Sequence, residues 1–170
     1  MNAQGGKHGN VLQAASSESH EAIVGLLLEN GADANAQGGK YGNVLQDASY
    51  RGHEAIVSLL LEKGADVNAE GGEYGNALQA ASASFSGDKA IVGLLLEKGA
   101  DVNAEGGKYG NALQAASYSG HEAIVHLLVE NGADVNALGG EYRSALQAAS
   151  SKGHKAIVRL LLEKGAVKKV

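Results

Sequence analysis

Between His53 and Lys63 the apolar residues Ile56, Val57, Leu59, Leu60 and Leu61 form one broad face at helical spacing, with charged residues around it. This pattern predicts a helix, and Glu62-Lys63-Gly64-Ala65 ends it with a glycine suited to the left-handed C-terminal position. A shorter, small-faced pattern precedes it from Val44 to Tyr50, where Ala48 and Ser49 allow a neighbouring backbone to approach closely, and Gly52 interrupts the two. Asn43 and Gln46 stand at the spacing of a capping box, so the first helix starts at Val44. Ahead of it, Gly38-Gly39-Lys40-Tyr41-Gly42 reads as a tight turn or hairpin tip, and behind the pair Ala65-Asp66-Val67-Asn68-Ala69 reads as an extended lead.

The same phrase recurs along the chain. Its diglycine falls at Gly5-Gly6, Gly38-Gly39, Gly71-Gly72, Gly106-Gly107 and Gly139-Gly140, in steps of 33, 33, 35 and 33 residues. The capping pair repeats at Asn10/Gln13, Asn76/Gln79, Asn111/Gln114 and Ser144/Gln147. Five units, 5–37, 38–70, 71–105, 106–138 and 139–170, account for nearly all 170 residues. Two helices this short bury too little alone, so stacked units sharing one continuous seam form a single all-α domain. Function then belongs on a surface that repeats, and a buried catalytic pocket is not expected.

The residues Gly52-His53-Glu54-x-Ile56-Val57-x-Leu59-Leu60-Leu61-x-x-Gly64-Ala65-Asp66-Val67-Asn68 resemble the second half of an ankyrin repeat, and the likeness returns in all five units. Where ankyrin repeats usually carry Thr-Pro-Leu-His, this chain has Asn43-Val44-Leu45-Gln46, which keeps a cap and a hydrogen-bonding side chain and loses the proline. This variant is similar to arrays common in fungal intracellular receptors. The resemblance implies an ankyrin-repeat solenoid of stacked helix-turn-helix units joined by hairpin-like loops, non-catalytic, holding a protein partner on a concave strip.

Units 38–70 and 106–138 differ at only seven of 33 positions, so the changed positions carry the information. After the diglycine come Lys7, Lys40, Glu73, Lys108 and Glu141, varying in sign at the projected fingers. In the helix-to-helix turn come Ser17-Glu18, Tyr50-Arg51, Ala83-Ser84, Tyr118-Ser119 and Ser151-Lys152, and before the diglycine Gln37, Glu70, Glu105 and Leu138. In a stacked array these groups line one strip, where variable chemistry on an invariant frame suits recognition. The third unit is longer by two residues, with Ala83-Ser84-Phe85-Ser86-Gly87-Asp88 in the turn. Phe85, the only phenylalanine, either folds back on the stack, the expected role of a tolerated insertion, or serves as a central aromatic anchor. Lys40, Tyr50, Arg51, Glu73, Phe85, Lys108, Tyr118 and Glu141 are the partner-binding candidates. The constant Tyr41, Tyr74, Tyr109 and Tyr142 are expected to brace the fingers.

Composition narrows the alternatives. A net charge of -5 without a basic stripe argues against nucleic-acid binding. No apolar run reaches the ~20 residues that span a bilayer. With no cysteine there is neither disulfide nor thiolate metal site, which fits a cytoplasmic location. His20, His53, His121 and His154 share one position, but stacked helices about 8–10 Å apart do not bring imidazoles within the roughly 2 Å that zinc needs. The expected role is hydrogen bonding to backbone at the start of the second helix, and His8 and His126 are expected in solvent. The diglycines lack the Lys-Ser/Thr of a phosphate loop. No cofactor and no metal are expected. A structural or engineered scaffold without an evolved ligand is the alternative to a binding module. Residues 2–6 repeat residues 35–39, which fits an excised or synthetic array. Neither terminal unit has a clearly polar outer face, so weak self-association through the ends is expected, with Lys168-Lys169 partly guarding one of them.

Overall fold

A computed structural model describes residues 9–167; the first finger, with Lys7 and His8, and the terminal lysines lie outside the described residues. Ten helices run in pairs: α1 (Val11–Ser17) and α2 (Glu21–Glu29), α3 (Val44–Arg51) and α4 (Glu54–Glu62), α5 (Ala77–Ala83) and α6 (Lys89–Glu97), α7 (Ala112–Ser119) and α8 (Glu122–Glu130), α9 (Ala145–Lys152) and α10 (Lys155–Glu163). Each pair packs on the next, first helix on first helix and second on second.

One seam runs through the stack. Leu45, Ile56 and Leu60 of the second unit are buried against Leu78, Ile91 and Leu95 of the third, and these against Leu113, Ile124 and Leu128 of the fourth. Burying each such side chain is worth about 1.5–3 kcal/mol. The first helices carry the small residues Ala48, Ala81, Ala116 and Ala149 toward one another, together with Ser49, Ser82 and Ser117, and they pack far more closely than the second helices. Closer spacing on the first-helix side makes it the inner face of a curved stack.

The predicted punctuation is where the sequence places it. Gly52 (φ 80), Gly120 (φ 84) and Gly153 (φ 74) end first helices in the left-handed conformation. The capping box is reciprocal in α1, α3 and α5. In α7 Asn111 accepts from the Gln114 amide without the return bond, and in α9 Ser144 does so from Gln147. The failure in α9 has a cause. At Gly42, Gly75 and Gly110 an added Cβ would sit about 2 Å from the Oε1 of the capping glutamine, and the fifth unit has Arg143 there, at φ 63. Its Cβ displaces Gln147, which is exposed.

The turns before each pair are fingers closed by a bridge, Gly38 with Gly42, Gly71 with Gly75, Gly106 with Gly110 and Gly139 with Arg143. The diglycine is a close-packing device. Gly72 sits at φ 63, and a Cβ there would lie 2.2 Å from the Tyr41 carbonyl of the preceding finger; Gly107 stands in the same relation to Tyr74. Any side chain would push the fingers apart.

Candidate functional site

Side chains stitch each unit to the next. The Gln46 amide donates to the carbonyl of Ala69 (3.0 Å) in its own lead loop and to those of Gly71 (3.3 Å) and Gly75 (3.0 Å) in the following finger. Gln79 does the same to Ala104 (3.0 Å) and Gly110 (3.2 Å). A second ladder runs along the loops. The Asn68 amide donates to Gly99 O (3.0 Å) while its Oδ1 accepts from Asp101 N (2.9 Å), and Asn35, Asn103 and Asn136 repeat this. Sequence reasoning saw the glutamines only as caps and the asparagines not at all; the constant Asp-x-Asn spacing was the available signal.

Two of the repeated histidines, His121 and His154, reach back to the preceding unit, whereas the buried His53 Nε2 has no hydrogen-bond partner among the described residues. His121 Nε2 donates to Ser84 O at 2.7 Å and His154 Nε2 to Tyr118 O at 3.1 Å. They bond backbone as expected, but that of the preceding unit, and they make no side-chain cap on their own second helices. The reason is packing. The ring of His154 lies against Gly120, where an added Cβ would come within 2.6 Å of it, so the glycine leaves room for the imidazole to reach back. His126 is exposed.

With the scaffold groups so occupied, the variable residues remain on one side. Finger tips pair by backbone, Glu73 N to Lys40 O (3.2 Å), Lys108 N to Glu73 O (2.9 Å) and Glu141 N to Lys108 O (3.0 Å), so their side chains form a row of alternating charge. Lys40 Nζ meets Glu73 Oε2 at 2.9 Å, with side chains 62% and 28% exposed, and this contact holds the Lys40 ammonium above its usual pKa. Exposed pairs of this kind contribute little to stability. Lys108 and Glu141 are exposed.

Behind the tips runs an unbroken stack of phenol rings. Ring centroids lie 5.1 Å apart for Tyr41 and Tyr50, 4.7 Å for Tyr50 and Tyr74, 6.0 Å for Tyr74 and Tyr109, 4.9 Å for Tyr109 and Tyr118, and 4.8 Å for Tyr118 and Tyr142. The bracing expected of the constant tyrosines is therefore shared by Tyr50 and Tyr118, which bridge successive fingers. Burial comes first in raising the Tyr109 phenol to about 12 and in pushing Tyr74 higher still. Contact with Lys152 pulls Tyr118 down. Lys40 and Arg51 lie over the Tyr41 ring at 5.4 and 5.7 Å, Lys108 over Tyr109 at 5.4 Å, and Lys152 over Tyr118 at 4.4 Å.

Unit two departs from its sisters. Asp47 replaces the alanine found at Ala80, Ala115 and Ala148, is buried, and accepts from Arg51 Nε at 2.7 Å. The pair walls a cleft of about 320 Å³ together with Glu18, Lys40 and Tyr41. Asp47 is one of the seven positions at which units 38–70 and 106–138 differ.

Phe85 does not fold back. It is 99% exposed, because the Ser84 hydroxyl accepts from Gly87 N (3.2 Å) and His121 holds the Ser84 carbonyl, leaving the intervening residues looped outward. Before the diglycines, Gln37, Glu70, Glu105 and Leu138 are exposed. Among the described residues no group of three or more His, Cys, Asp or Glu side chains is placed to hold a metal ion, and no helix is long and apolar enough to cross a membrane.

Paired antiparallel helices stacked in register and joined by projecting fingers define a helical repeat solenoid. A family profile described as ankyrin repeats (three copies) matches residues 2–71 and 78–170, and the chain belongs to that family. No curated protein matches it. Proteins built of ankyrin repeats are in general protein–protein interaction modules.

Proposed function

We propose that this chain is a non-catalytic module that holds a protein partner along the inner strip of fingers and helix turns, through Lys40, Tyr50, Arg51, Glu73, Phe85, Lys108, Tyr118 and Glu141. One observation carries the reading. On the finger and helix-turn side the constant Gln46 and Gln79 are buried and bonded to the following finger, whereas the varying Lys40, Arg51, Phe85, Lys108 and Glu141 stand exposed. Binding would leave the scaffold unchanged, because the strip is already ordered by the tip ladder and the ring stack. A reducing compartment such as the cytoplasm suits a chain without cysteine.

The test is capture by the immobilised chain, compared between the native strip, a Lys108→Glu/Phe85→Ser variant and a Glu97→Lys control on the outer helix α6. Loss in the strip variant with retention in the control supports the proposal. Equal capture by all three, or none by any of them, would favour a scaffold without an evolved ligand.

A further inference from the structure

Unit two departs from the others at two positions that act together. Its first helix carries Asp47 and Arg51 one turn apart, where the sister units have Ala14 and Glu18, Ala80 and Ser84, Ala115 and Ser119, and Ala148 and Lys152. Aspartate stands in place of alanine only in the unit that has arginine one turn later. Taking a carboxylate out of water is costly, and a covered ion pair seldom gains much stability over an apolar residue, so the pair has another role.

Two contacts fix the plane of the guanidinium. Asp47 is buried in the first turn of α3, where the helix N-terminus favours its charged form, and it accepts from Arg51 Nε at 2.7 Å. Arg51 Cζ also lies 5.7 Å from the centre of the Tyr41 ring. A cation reaches a ring without such help in the fifth unit, where Lys152 stands over Tyr118 at 4.4 Å with Ala148 at the aspartate position. What Asp47 adds is orientation. It engages Nε and leaves Nη1 and Nη2 without a hydrogen bond among the described residues. The Arg51 side chain is 34% exposed against 9% for Asp47, so the anion is covered and the donor end is open. That end belongs to the wall of the cleft of about 320 Å³, whose other charged groups are Lys40 and the exposed Glu18. Lys40 is likewise more exposed than its own carboxylate partner, Glu73.

We propose that Arg51, positioned by Asp47, is the anchor for an acidic side chain of the protein partner, whose carboxylate enters this cleft and accepts from both Nη groups. The inference rests on the inner strip being the binding surface and names the chemistry that its second unit recognises. Two parallel bonds from a guanidinium match the two oxygens of a carboxylate, and a lysine cannot make them. Asp47 is a positioning residue and does not itself meet the partner. Glu18 repels a second negative charge, so a single carboxylate is favoured over a phosphate dianion.

The probe is a capped Gly-Glu-Gly peptide, with its glutamine and phosphoserine versions, titrated at millimolar concentration into the isotope-labelled chain. Binding is followed at the Lys40 and Tyr41 amides and at the side-chain Nε of Arg51 and of Arg159, an exposed arginine of α10. The glutamate peptide should shift Arg51 saturably and about tenfold more tightly than Arg159, as expected for a held fork against a free one. The glutamine peptide should shift neither. Arg51→Lys keeps the charge and should weaken binding about tenfold at the two amides. Asp47→Ala, the residue of the four sister units, should do the same, and Asp47→Asn, which keeps an acceptor for Nε, should restore binding. If the alanine variant fails to fold, Arg51→Lys decides the matter. A pair that only steadied its helix would change the melting temperature and leave the titration unmoved. That result overturns the anchor, as do equal titration of Arg51 and Arg159, an equal response to the glutamine peptide, or tighter binding of the phosphoserine peptide. Partner capture that still falls in the Lys108→Glu/Phe85→Ser variant would then leave the broader reading standing; capture indifferent to the strip removes both.

Discussion

Replacing Gln79 by methionine tests whether the array is held by side-chain stitching as well as by its apolar seam. Gln79 is 2% exposed. Its Oε1 accepts from Asn76 N at 2.9 Å, and its Nε2 donates to Ala104 O at 3.0 Å and Gly110 O at 3.2 Å, with Gly106 O at 3.4 Å. Methionine fills similar volume and makes none of these bonds. Each lost bond is worth about 1 kcal/mol net, and leaving the Asn76 amide buried without an acceptor costs about 1–3 kcal/mol in its own right. The Gly110 carbonyl keeps its bond from Gly106 N (2.7 Å) and is not orphaned. The sum is about 2–4 kcal/mol. The amide bonds to Gly106 and Gly110 join the third unit to the fourth, so much of the loss falls on coupling between halves of a one-dimensional stack. Urea unfolding followed by circular dichroism and tyrosine fluorescence should therefore shift to lower denaturant and separate into two transitions. Gln79→Glu keeps the cap acceptor but sets a carboxylate against the finger carbonyls. It should be worse than methionine at neutral pH and recover on acidification, when the protonated acid donates again. A loss below about 0.5 kcal/mol for Gln79→Met, the range of ordinary surface changes, would refute the reasoning. So would Gln79→Glu being no worse than Gln79→Met at neutral pH.

Other consequences follow from the same geometry. Gly107→Ala places a Cβ 2.2 Å from Tyr74 O at a φ of 60, and its midpoint should fall well below that of Gly64→Ala, where nothing lies within 4 Å of the added carbon; equal effects would mean that the fingers yield freely. Burial raises the Tyr109 phenol to about 12 against about 10 in an unfolded chain. Its contribution to stability is thus intact below about pH 10 and is lost as pH rises through 12. Phenolate absorbance should show some tyrosines titrating late, together with loss of helix, and all six titrating together near their ordinary value with the helices intact would contradict this. Ser82 and Ser117 hold buried hydroxyls without a hydrogen-bond partner, so Ser82→Ala should be neutral or slightly stabilising in thermal melts; a loss above about 1 kcal/mol would show that the hydroxyl is bonded after all.

The repeat period, the helix pairs, the left-handed glycines and the seam of Leu, Ile and Val were legible in the sequence, because each is written in local spacing. A buried face at helical period and a glycine needing positive φ leave the same trace in every unit, and five copies make that trace plain. Cross-unit partners were not legible. Gln46 reads as a cap at Asn43, and nothing nearby says that its amide also bonds Gly71 and Gly75 of the next finger. His121 reads as the start of its own helix, yet it bonds the third unit.

The site divides along the same line. Differences between the units marked Lys40, Glu73, Lys108 and Glu141 as variable tips, and the row of alternating charge follows once fingers are stacked. Only the tertiary structure decided that Tyr50 and Tyr118 join the constant tyrosines in one stack and that Phe85 stands in solvent. The stack depends on the finger spacing, which is fixed by backbone bonds between residues some 33 positions apart, and Phe85 on the bonds that hold Ser84. Local pattern determines which groups each unit exposes, and the geometry of stacking determines which of them meet.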